Sequence, residues 1–363
     1  MIYIHIPFCA KKCNYCAFNS KIGESSEIQN YVEALTTQII SHDTENISTI
    51  YFGGGTPSIL NIAQINKIFV AVKNNFNIDD NAEITIEINP GTVDKNYLRD
   101  LKNIGFNRLS IGVQSFDNNL LKILGRIHNN QIALDTIETA RNFFDNVSID
   151  LMYGLPEQKI SDLKKSVELA ANFDIQHISI YGLEIEEGTN FYSRRDKLNL
   201  PSDEICAEMY DFITETLPTK NFIRYEVSNF AKKNFESRHN IGYWTGKKYI
   251  GFGAGAHSYN KKIRTANISD VGEYIKNPFA KNIEEVITKK IAMEEFCFLG
   301  LRMTAGISIS DFQNNFGENI FSVYDKVIEK NISLGLLENV GDKIFLTARG
   351  MKFGNLVFAD FLI

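Results

Sequence analysis

The sequence has few cysteines, no long hydrophobic run and no excess of positive charge. Five cysteines in 363 residues are too few for a disulfide framework, and their odd number leaves one thiol unpaired. No stretch approaches the roughly 18 consecutive apolar residues of a membrane-spanning helix. Residues 1–8 carry no basic segment of the kind that begins a secretory signal. These absences predict a globular protein of the cytoplasm.

The overall charge and length narrow the classes further. The formal net charge is -6, which disfavours nucleic acid as the main partner because phosphate binding needs an excess of basic residues. With 44% hydrophobic and 23% charged residues the composition is that of a globular protein. A chain of 363 residues has room for one large α/β domain and a smaller second one.

Short apolar segments alternate with amphipathic ones over the first 229 residues, and this pattern predicts parallel β/α units. One amphipathic segment, residues 28–39, has helical spacing, with Ser26 and Gln29 placed as a capping box. Six or seven such units are too few for an eight-unit barrel, so we expect an open, partial barrel. The strands are predicted at 2–6, 49–52, 84–88, 108–113, 147–152, 177–181 and 224–227.

Beyond residue 229 the alternation stops. Residues 230–283 are predicted to be a basic and aromatic connecting segment. Residues 284–363 have the pattern of helices followed by a hairpin, with Gly341 and Asp342 at its turn. The C-terminal part is therefore predicted to be a small winged-helix-like α+β domain.

Three cysteines lie close together. Cys9, Cys13 and Cys16 are spaced CxxxCxxC on the loop predicted after the first strand. Structural zinc normally takes a fourth cysteine or histidine, and neither Cys206 nor Cys297 has a partner at that spacing. Three thiolates suit a 4Fe-4S cluster whose fourth iron is open to an exogenous molecule. Buried cysteines and a zinc site are the alternatives.

Other unusual residues also follow predicted strands. Residues 53–55 are all glycine. Because glycine has no side chain, their backbone N–H groups can approach a ligand closely. Glu87 ends an apolar strand, where a carboxylate is unexpected unless it accepts hydrogen bonds. Gln114, Arg126 and Asp150 are further polar residues at or just beyond strand ends. Because ligands bind where parallel strands end, we expect one face of the sheet to hold the site, although each residue alone is more often structural.

The spacing Cys9-x-x-x-Cys13-x-Tyr15-Cys16 resembles the signature of the radical S-adenosylmethionine (SAM) superfamily. The resemblance implies that SAM chelates the open iron and that electron transfer into its sulfonium yields a 5'-deoxyadenosyl radical. It also implies that Tyr15 lies against the adenine. The SAM-binding residues that it implies are Tyr3, Tyr15, Gly54, Gly55, Thr56, Glu87, Gln114, Arg126 and Asp150.

Segments along nearly the whole chain resemble the oxygen-independent coproporphyrinogen III oxidase group: 3–9, 53–58, 89–92, 108–116 and 150–156. The group contains a radical SAM decarboxylase and the HemW-type heme chaperones. Phe18 stands where the decarboxylases carry a further cysteine, and Tyr3 has only two residues ahead of it instead of a long segment. His239, in residues 239–244, matches the HNxxYW motif of the chaperones, whose histidine is the implicated heme ligand.

The segment around this motif has an unusual composition. Residues 230–264 contain eight basic residues against one acid, a net charge of +7, interleaved with seven aromatic residues. A flat apolar ring bearing carboxylates would be complementary to such a surface. A solvated charged face, a hydrogen-bonded histidine and nucleotide stacking are the alternatives. His5 and His257 compete with His239 as heme ligand.

The resemblance implies a partial (β/α)6-type radical SAM barrel over 1–229 and a winged-helix-like domain over 284–363. The predicted function is a heme chaperone that binds heme, a 4Fe-4S cluster and SAM and delivers heme to an acceptor haemoprotein, including a membrane-bound one. The alternative is the oxygen-independent coproporphyrinogen III oxidase. No nucleic-acid partner is expected, since residues 296–363 have a net charge of -1. Enzymatic activity and a homodimer stay open.

Overall fold

A twisted sheet forms the centre of the computed structural model, which describes residues 1–362. Its strands are β1 (Ile2–Ile6), β2 (Asn46–Gly54), β3 (Asn77–Ile88), β4 (Arg108–Gln114), β5 (Val147–Tyr153), β6 (His177–Gly182), β7 (Ile223–Arg224), β8 (Asn229–Ala231) and β9 (Ile250–Phe252). Their order is β7-β8-β6-β5-β4-β3-β2-β1-β9, and β1 to β6 are parallel neighbours in chain order. The sheet does not close on itself, which confirms the partial barrel.

Two smaller sheets follow in the chain. Their strands are β10 (His257–Tyr259), β11 (Ile263–Asn267), β12 (Lys281–Val286), β13 (Ile307–Ser308), β14 (Leu337–Val340) and β15 (Lys343–Leu346). One sheet has the order β10-β11-β12 and the other the order β13-β15-β14, and both are antiparallel.

Fifteen α-helices are described in residues 1–362, and most of them cover the outer face of the parallel strands or build the C-terminal part. They are α1 (Ser25–Ile40), α2 (Ile62–Asn75), α3 (Lys95–Ile104), α4 (Asn118–Leu124), α5 (Asn130–Arg141), α6 (Ile160–Asn172), α7 (Asn190–Ser193), α8 (Asp203–Thr219), α9 (Arg238–Trp244), α10 (Val271–Lys276), α11 (Lys289–Gly300), α12 (Ile309–Phe316), α13 (Ile320–Ser333), α14 (Ala348–Lys352) and α15 (Gly354–Asp360). Among residues 1–362, no helix is long and apolar enough to cross a membrane.

The side-chain alternation of the parallel strands separates a core face from a cavity face. In β4 the residues Leu109, Ile111 and Val113 are fully buried in the core beneath the helices. The intervening positions 108, 110, 112 and 114 face the inside of the curved sheet, where they line a cavity. This period of two delivers polar side chains to the inner face of a sheet whose outer face is apolar.

Local details differ from the sequence-based expectations in two places. Helix α1 begins at Ser25, and the N–H of Ile28 already donates to the carbonyl of Glu24 at 2.9 Å. The predicted capping box of Ser26 and Gln29 is therefore wrong, because Ser26 lies inside the helix. The predicted strand at 224–227 is only the two-residue β7, which pairs antiparallel with β8 and is not a seventh parallel unit.

The segment 230–283 is more than a connection. It contributes β8 at one side of the sheet and β9, parallel to β1, at the other. Between these strands, helix α9 packs against the inner face of the sheet at its amino-terminal end. The predicted domain boundary at 283/284 falls inside strand β12, and the boundaries at 229/230 and 283/284 stay predictions.

The C-terminal part has a hydrophobic core of its own, in which Cys297, Phe312 and Ile328 are fully buried. The order α11-β13-α12-α13-β14-β15 is that of a winged helix. Residues 341 and 342 form the two-residue turn between β14 and β15, with Gly341 at φ +58°, so the predicted hairpin is confirmed.

Candidate functional site

A cavity of about 350 Å³ opens at the carboxyl ends of the parallel strands and extends down their inner face. The structure brings nearly all of the predicted site residues to its wall. They are Cys9, Cys13, Tyr15, Cys16, Gly54, Gly55, Thr56, Glu87, Gln114, Arg126 and Asp150. Tyr3 and His239 are the predicted site residues that do not line it. We call the end with the cysteines the rim and the opposite end, at the amino-terminal ends of the strands, the floor.

The cysteine loop is held against the sheet by backbone hydrogen bonds. The N–H of Cys9 donates to the carbonyl of Lys21, and the N–H of Asn14 to the carbonyl of Leu124, both at 2.9 Å. The three thiols are partly exposed and form no disulfide. A Cβ atom at Gly55 would lie 2.7 Å from the carbonyl oxygen of Phe8 and 3.0 Å from Sγ of Cys9. Only glycine therefore fits beside the first cysteine.

Two of the thiols accept hydrogen bonds from one connected set of side chains. Thr56 donates to Sγ of Cys9 at 3.4 Å and accepts from the amide of Asn89 at 2.8 Å. Arg126 donates to Sγ of Cys13 at 3.6 Å and also to the side-chain oxygen of Asn89. The set thus connects two cysteines through hydrogen-bond donors that hold their sulfurs in place.

This donor set fits an iron-sulfur cluster. Thiolates are the ligands of such clusters, and hydrogen bonds to their sulfurs tune the bound group. Among residues 1–362, no group of three His, Cys, Asp or Glu side chains converges on one point that could hold a single metal ion. Ligation of a cluster by Cys9, Cys13 and Cys16 stays a prediction.

Two N–H groups of the glycine loop make hydrogen bonds within the chain. The N–H of Gly55 donates to the carbonyl of Ile6, and the N–H of Thr56 to the carbonyl of Phe8, both at 2.8 Å. These two N–H groups tie β2 to the start of the cysteine loop, and SAM binding by Gly54, Gly55 and Thr56 stays a prediction. Gly54, at φ +111°, packs on the ring of His5, where a Cβ atom would lie 2.5 Å from the ring.

Two partly buried carboxyl groups lie in the wall below the rim. Glu87 accepts a hydrogen bond from the hydroxyl of Tyr51 at 2.8 Å, and burial raises the pKa of Glu87 to about 7. Asp150 accepts from Ser110 at 3.1 and 3.0 Å, and burial raises its pKa as well. Carboxyl oxygens at this depth fit the hydroxyl groups of a ribose, so the wall suits the SAM predicted from the sequence.

Gln114 ends β4 with a positive φ of 68°, which a residue other than glycine seldom adopts. Such a conformation at the wall of a cavity is typical of functional sites, because surrounding structure must hold it in place. It presents the amide of Gln114 to the cavity beside Gly112. Tyr3, by contrast, donates to Nδ1 of His5 at 3.1 Å and stacks on Tyr51, its neighbour on the adjacent strand.

His239 lies at the floor, on α9, and is 1% exposed. Its Nδ1 is bonded to the hydroxyl of Thr49 at 2.8 Å and its Nε2 to the hydroxyl of Tyr243 at 3.1 Å. The ring stacks on Tyr51 with centroids 5.1 Å apart, and burial lowers the pKa of His239 to about 3. Both nitrogens are engaged in this conformation. Of the competitors, His5 also has both nitrogens bonded, whereas His257 is exposed.

The basic and aromatic segment does not form one continuous surface. Lys232 pairs with Asp174 at 3.0 Å, and Arg264 pairs with Glu285 and Glu295 from outside the segment. Phe230 and Phe252 are buried in the core of the main sheet. Trp244 lies under the guanidinium of Arg302, 4.4 Å from its ring centre, and so connects α9 to the C-terminal part. The expected single ring-binding surface is therefore divided between separate contacts.

The cavity residues that sequence reasoning missed include Tyr51, Asn89 and Arg108. Tyr51 lies two residues before Gly53, and Arg108 two residues before Ser110. Alternate residues of a strand point to the same face, so this spacing could have placed both side chains on the inner face. Asn89 belongs to one of the segments that carries the family resemblance, but only the fold shows that it joins Thr56 to Arg126.

Comparisons with known proteins agree with this geometry. Residues 3–170 match the Radical SAM superfamily, and residues 287–353 match the HemN C-terminal domain. The E. coli coproporphyrinogen III oxidase (HemN), a radical SAM enzyme, superposes with a TM-score of 0.87 at 22% identity, covering 99% of this chain and 89% of that chain. At that identity the superposition establishes the fold alone.

Closer sequence relatives cover the whole chain. The heme chaperone HemW of Lactococcus lactis subsp. lactis is 38% identical over 99% of this chain and 97% of its own length. The heme chaperone HemW of Bacillus subtilis is 37% identical over 99% of this chain and 98% of its own length. The fold and the match of residues 3–170 to the superfamily together define a radical SAM protein. Within that class, the chain belongs to the HemW family.

Proposed function

We propose that this chain is a cytoplasmic heme chaperone, which binds heme, a 4Fe-4S cluster and SAM and delivers heme to an acceptor haemoprotein. The observation that carries the proposal is full-length similarity to relatives named heme chaperone HemW, at 38% and 37% identity. The cysteine loop supports it, because Phe18, 67% exposed, occupies the position of the decarboxylases' further cysteine.

In this proposal Cys9, Cys13 and Cys16 hold three irons of the cluster, and the fourth iron is left to SAM. When bound, the cluster would supply an electron to SAM. Arg126 and Thr56 donate to the sulfurs of two of these cysteines and so hold them in place. The cavity wall inward of the cysteines is lined by Gln114, Glu87 and Asp150. Tyr15 lies at the rim beside Arg126.

The heme is assigned to the floor side of the molecule through His239. Axial ligation requires a free imidazole nitrogen, so the hydrogen bond to Thr49 or to Tyr243 must break first. Helix α9 is short and is held by Glu83, which accepts from the N–H groups of Arg238 and His239 at 3.0 Å each. Movement of α9 would release the ring. We further propose that the acceptor can be membrane-bound and that the chain can form a homodimer.

The proposal is tested by anaerobic reconstitution of the cluster, followed by heme titration and an assay of CO2 release from coproporphyrinogen on the same sample. We expect one heme per chain and no CO2. The variant His239→Ala should lose heme binding, whereas the matched control His257→Ala, at an exposed histidine, should retain it. Release of CO2 dependent on SAM and reductant would identify a decarboxylase instead. Unchanged heme affinity in His239→Ala would show that His239 is not the heme ligand.

A further inference from the structure

Arg108 is a buried cation without a close counterion. Its side chain is 2% exposed, yet it lines the cavity. The Nε atom has no hydrogen-bond partner, and no carboxylate of residues 1–362 lies within ion-pair distance of the guanidinium. A charge removed from water without directed partners is costly, and a guanidinium carries five donors that normally find acceptors.

The nearest carboxylates are already occupied. Glu83 accepts from the backbone N–H groups of Arg238 and His239, at 3.0 Å each. Asp150 accepts from the hydroxyl of Ser110 with both of its oxygens. Both carboxylates attract the guanidinium of Arg108 only at longer range. The directed donors of the guanidinium are therefore left for a group that enters the cavity.

The position of Arg108 separates it from the rim. It is the first residue of β4, six residues before Gln114, and a strand rises about 3.3 Å per residue. The two Cα atoms are therefore about 20 Å apart along the strand. A SAM molecule whose carboxylate lies at the cysteine loop does not bring that carboxylate to the floor. Asn240, the residue after His239, lines the same cavity, so α9 also reaches this space.

We propose that Arg108 is an anion subsite at the floor of the cavity and that it receives a propionate carboxylate of heme. This inference rests on the proposed function and assigns one contact within it. A guanidinium and a carboxylate form paired, parallel hydrogen bonds, which a single ammonium group cannot reproduce. The subsite would orient the ring by one carboxylate arm while α9 supplies the histidine.

The test compares heme with its dimethyl ester, which lacks both free carboxylates, by absorbance titration of the full-length, cluster-reconstituted chain in one detergent buffer. We expect the unsubstituted chain to bind heme at least about tenfold more tightly than the ester. In Arg108→Gln the Kd for heme should rise at least about tenfold while the Kd for the ester stays unchanged. Arg108→Lys should lie between them. Arg99→Gln, which removes an exposed arginine of α3, should behave like the unsubstituted chain.

Several results would overturn the inference. Equal affinities for heme and ester in the unsubstituted chain would do so, as would an equal loss of both ligands in Arg108→Gln. A loss of SAM binding in equilibrium dialysis, with heme binding unchanged, would assign Arg108 to SAM. If the unsubstituted chain binds no heme, the proposed function fails and this inference fails with it. The carboxylates of Glu83 and Asp150 favour the charged guanidinium, so Arg108→Gln should lower Tm. If it does not fold, Arg108→Lys, which keeps the charge, decides the question.

Discussion

The rim and the floor of the cavity are built in opposite ways. At the rim the thiols of Cys9, Cys13 and Cys16 are partly exposed, on a loop that hydrogen bonds hold to the sheet. At the floor His239 is buried by α9 with both nitrogens bonded, and Arg108 is buried without a close counterion. The rim is preorganised for a ligand, whereas the floor must change or receive a group before it binds one.

The largest effect is expected at the rim. Cys13→Ala removes one of the three thiolates, and the chain should lose nearly all of its reconstituted iron and the visible absorbance of the cluster. Heme binding at the floor should persist, because the two ends are separate. Cys206→Ala on α8 is the matched control and should keep its iron. Full iron content in Cys13→Ala would contradict the assignment of the rim cysteines.

The next largest effect is at the floor and depends on pH. Burial lowers the pKa of His239 to about 3 from 6.5, so the unfolded chain binds a proton that the folded chain does not between these values. The free energy of unfolding should therefore fall as the pH drops from 6.5 to 3, by up to about 4 kcal/mol from this group.

The measurement is urea unfolding across this pH range for the unsubstituted chain and for His239→Gln. The variant lacks the titrating group and should lose less stability toward low pH. His257→Gln should change the profile less than His239→Gln does, because His257 is exposed and its pKa is lowered without a large shift. Parallel pH profiles for His239→Gln and the unsubstituted chain would show that His239 is not buried as a neutral ring.

Glu87, between the two ends, should change the free energy of unfolding with pH in the opposite direction. Burial raises its pKa from 4.5 to about 7, so the folded chain keeps a proton that the unfolded chain loses. The free energy of unfolding falls as the pH rises through this window. Glu87→Gln should be more stable than the unsubstituted chain at pH 8, by up to about 3 kcal/mol, and equally stable near pH 4. Denaturant unfolding measures this difference, and Glu338→Gln, at an exposed position, should show none.

The smallest effect is expected at Tyr51, which joins the wall to the floor. Tyr51→Phe removes the hydroxyl that donates to Glu87. The cost should be about 2 kcal/mol at pH 8, where Glu87 is mostly charged, and about 1 kcal/mol at pH 5, where it is protonated. Tyr97→Phe, whose hydroxyl donates to the backbone carbonyl of Leu60, should cost the same at both pH values. If the cost of Tyr51→Phe does not change with pH, the hydroxyl of Tyr51 does not stabilise the charged form of Glu87.

The two ends also differ in how far sequence could predict them. The rim cysteines lie within eight residues on one loop, so their spacing alone places them together. Glu87 and Gln114 follow from the rule that parallel strands end at one edge. Asp150, predicted at a strand end, lies in the middle of β5 and reaches the same wall because side chains alternate along the strand. By contrast, the bond between Thr49 and His239 joins residues 190 positions apart, which no local pattern indicates.

The sequence by itself determined the partial barrel, the grouping of the rim residues and the C-terminal hairpin, because these depend on short-range periodicity and on strand ends. Only the tertiary structure decided that α9 enters the curved sheet, that the N–H groups of the glycine loop hold the cysteine loop, and that Arg108 lacks a counterion. These facts depend on which polar groups, far apart in the chain, form hydrogen bonds with one another. Buried groups need such partners because water cannot reach them, and only the folded chain determines which groups are buried.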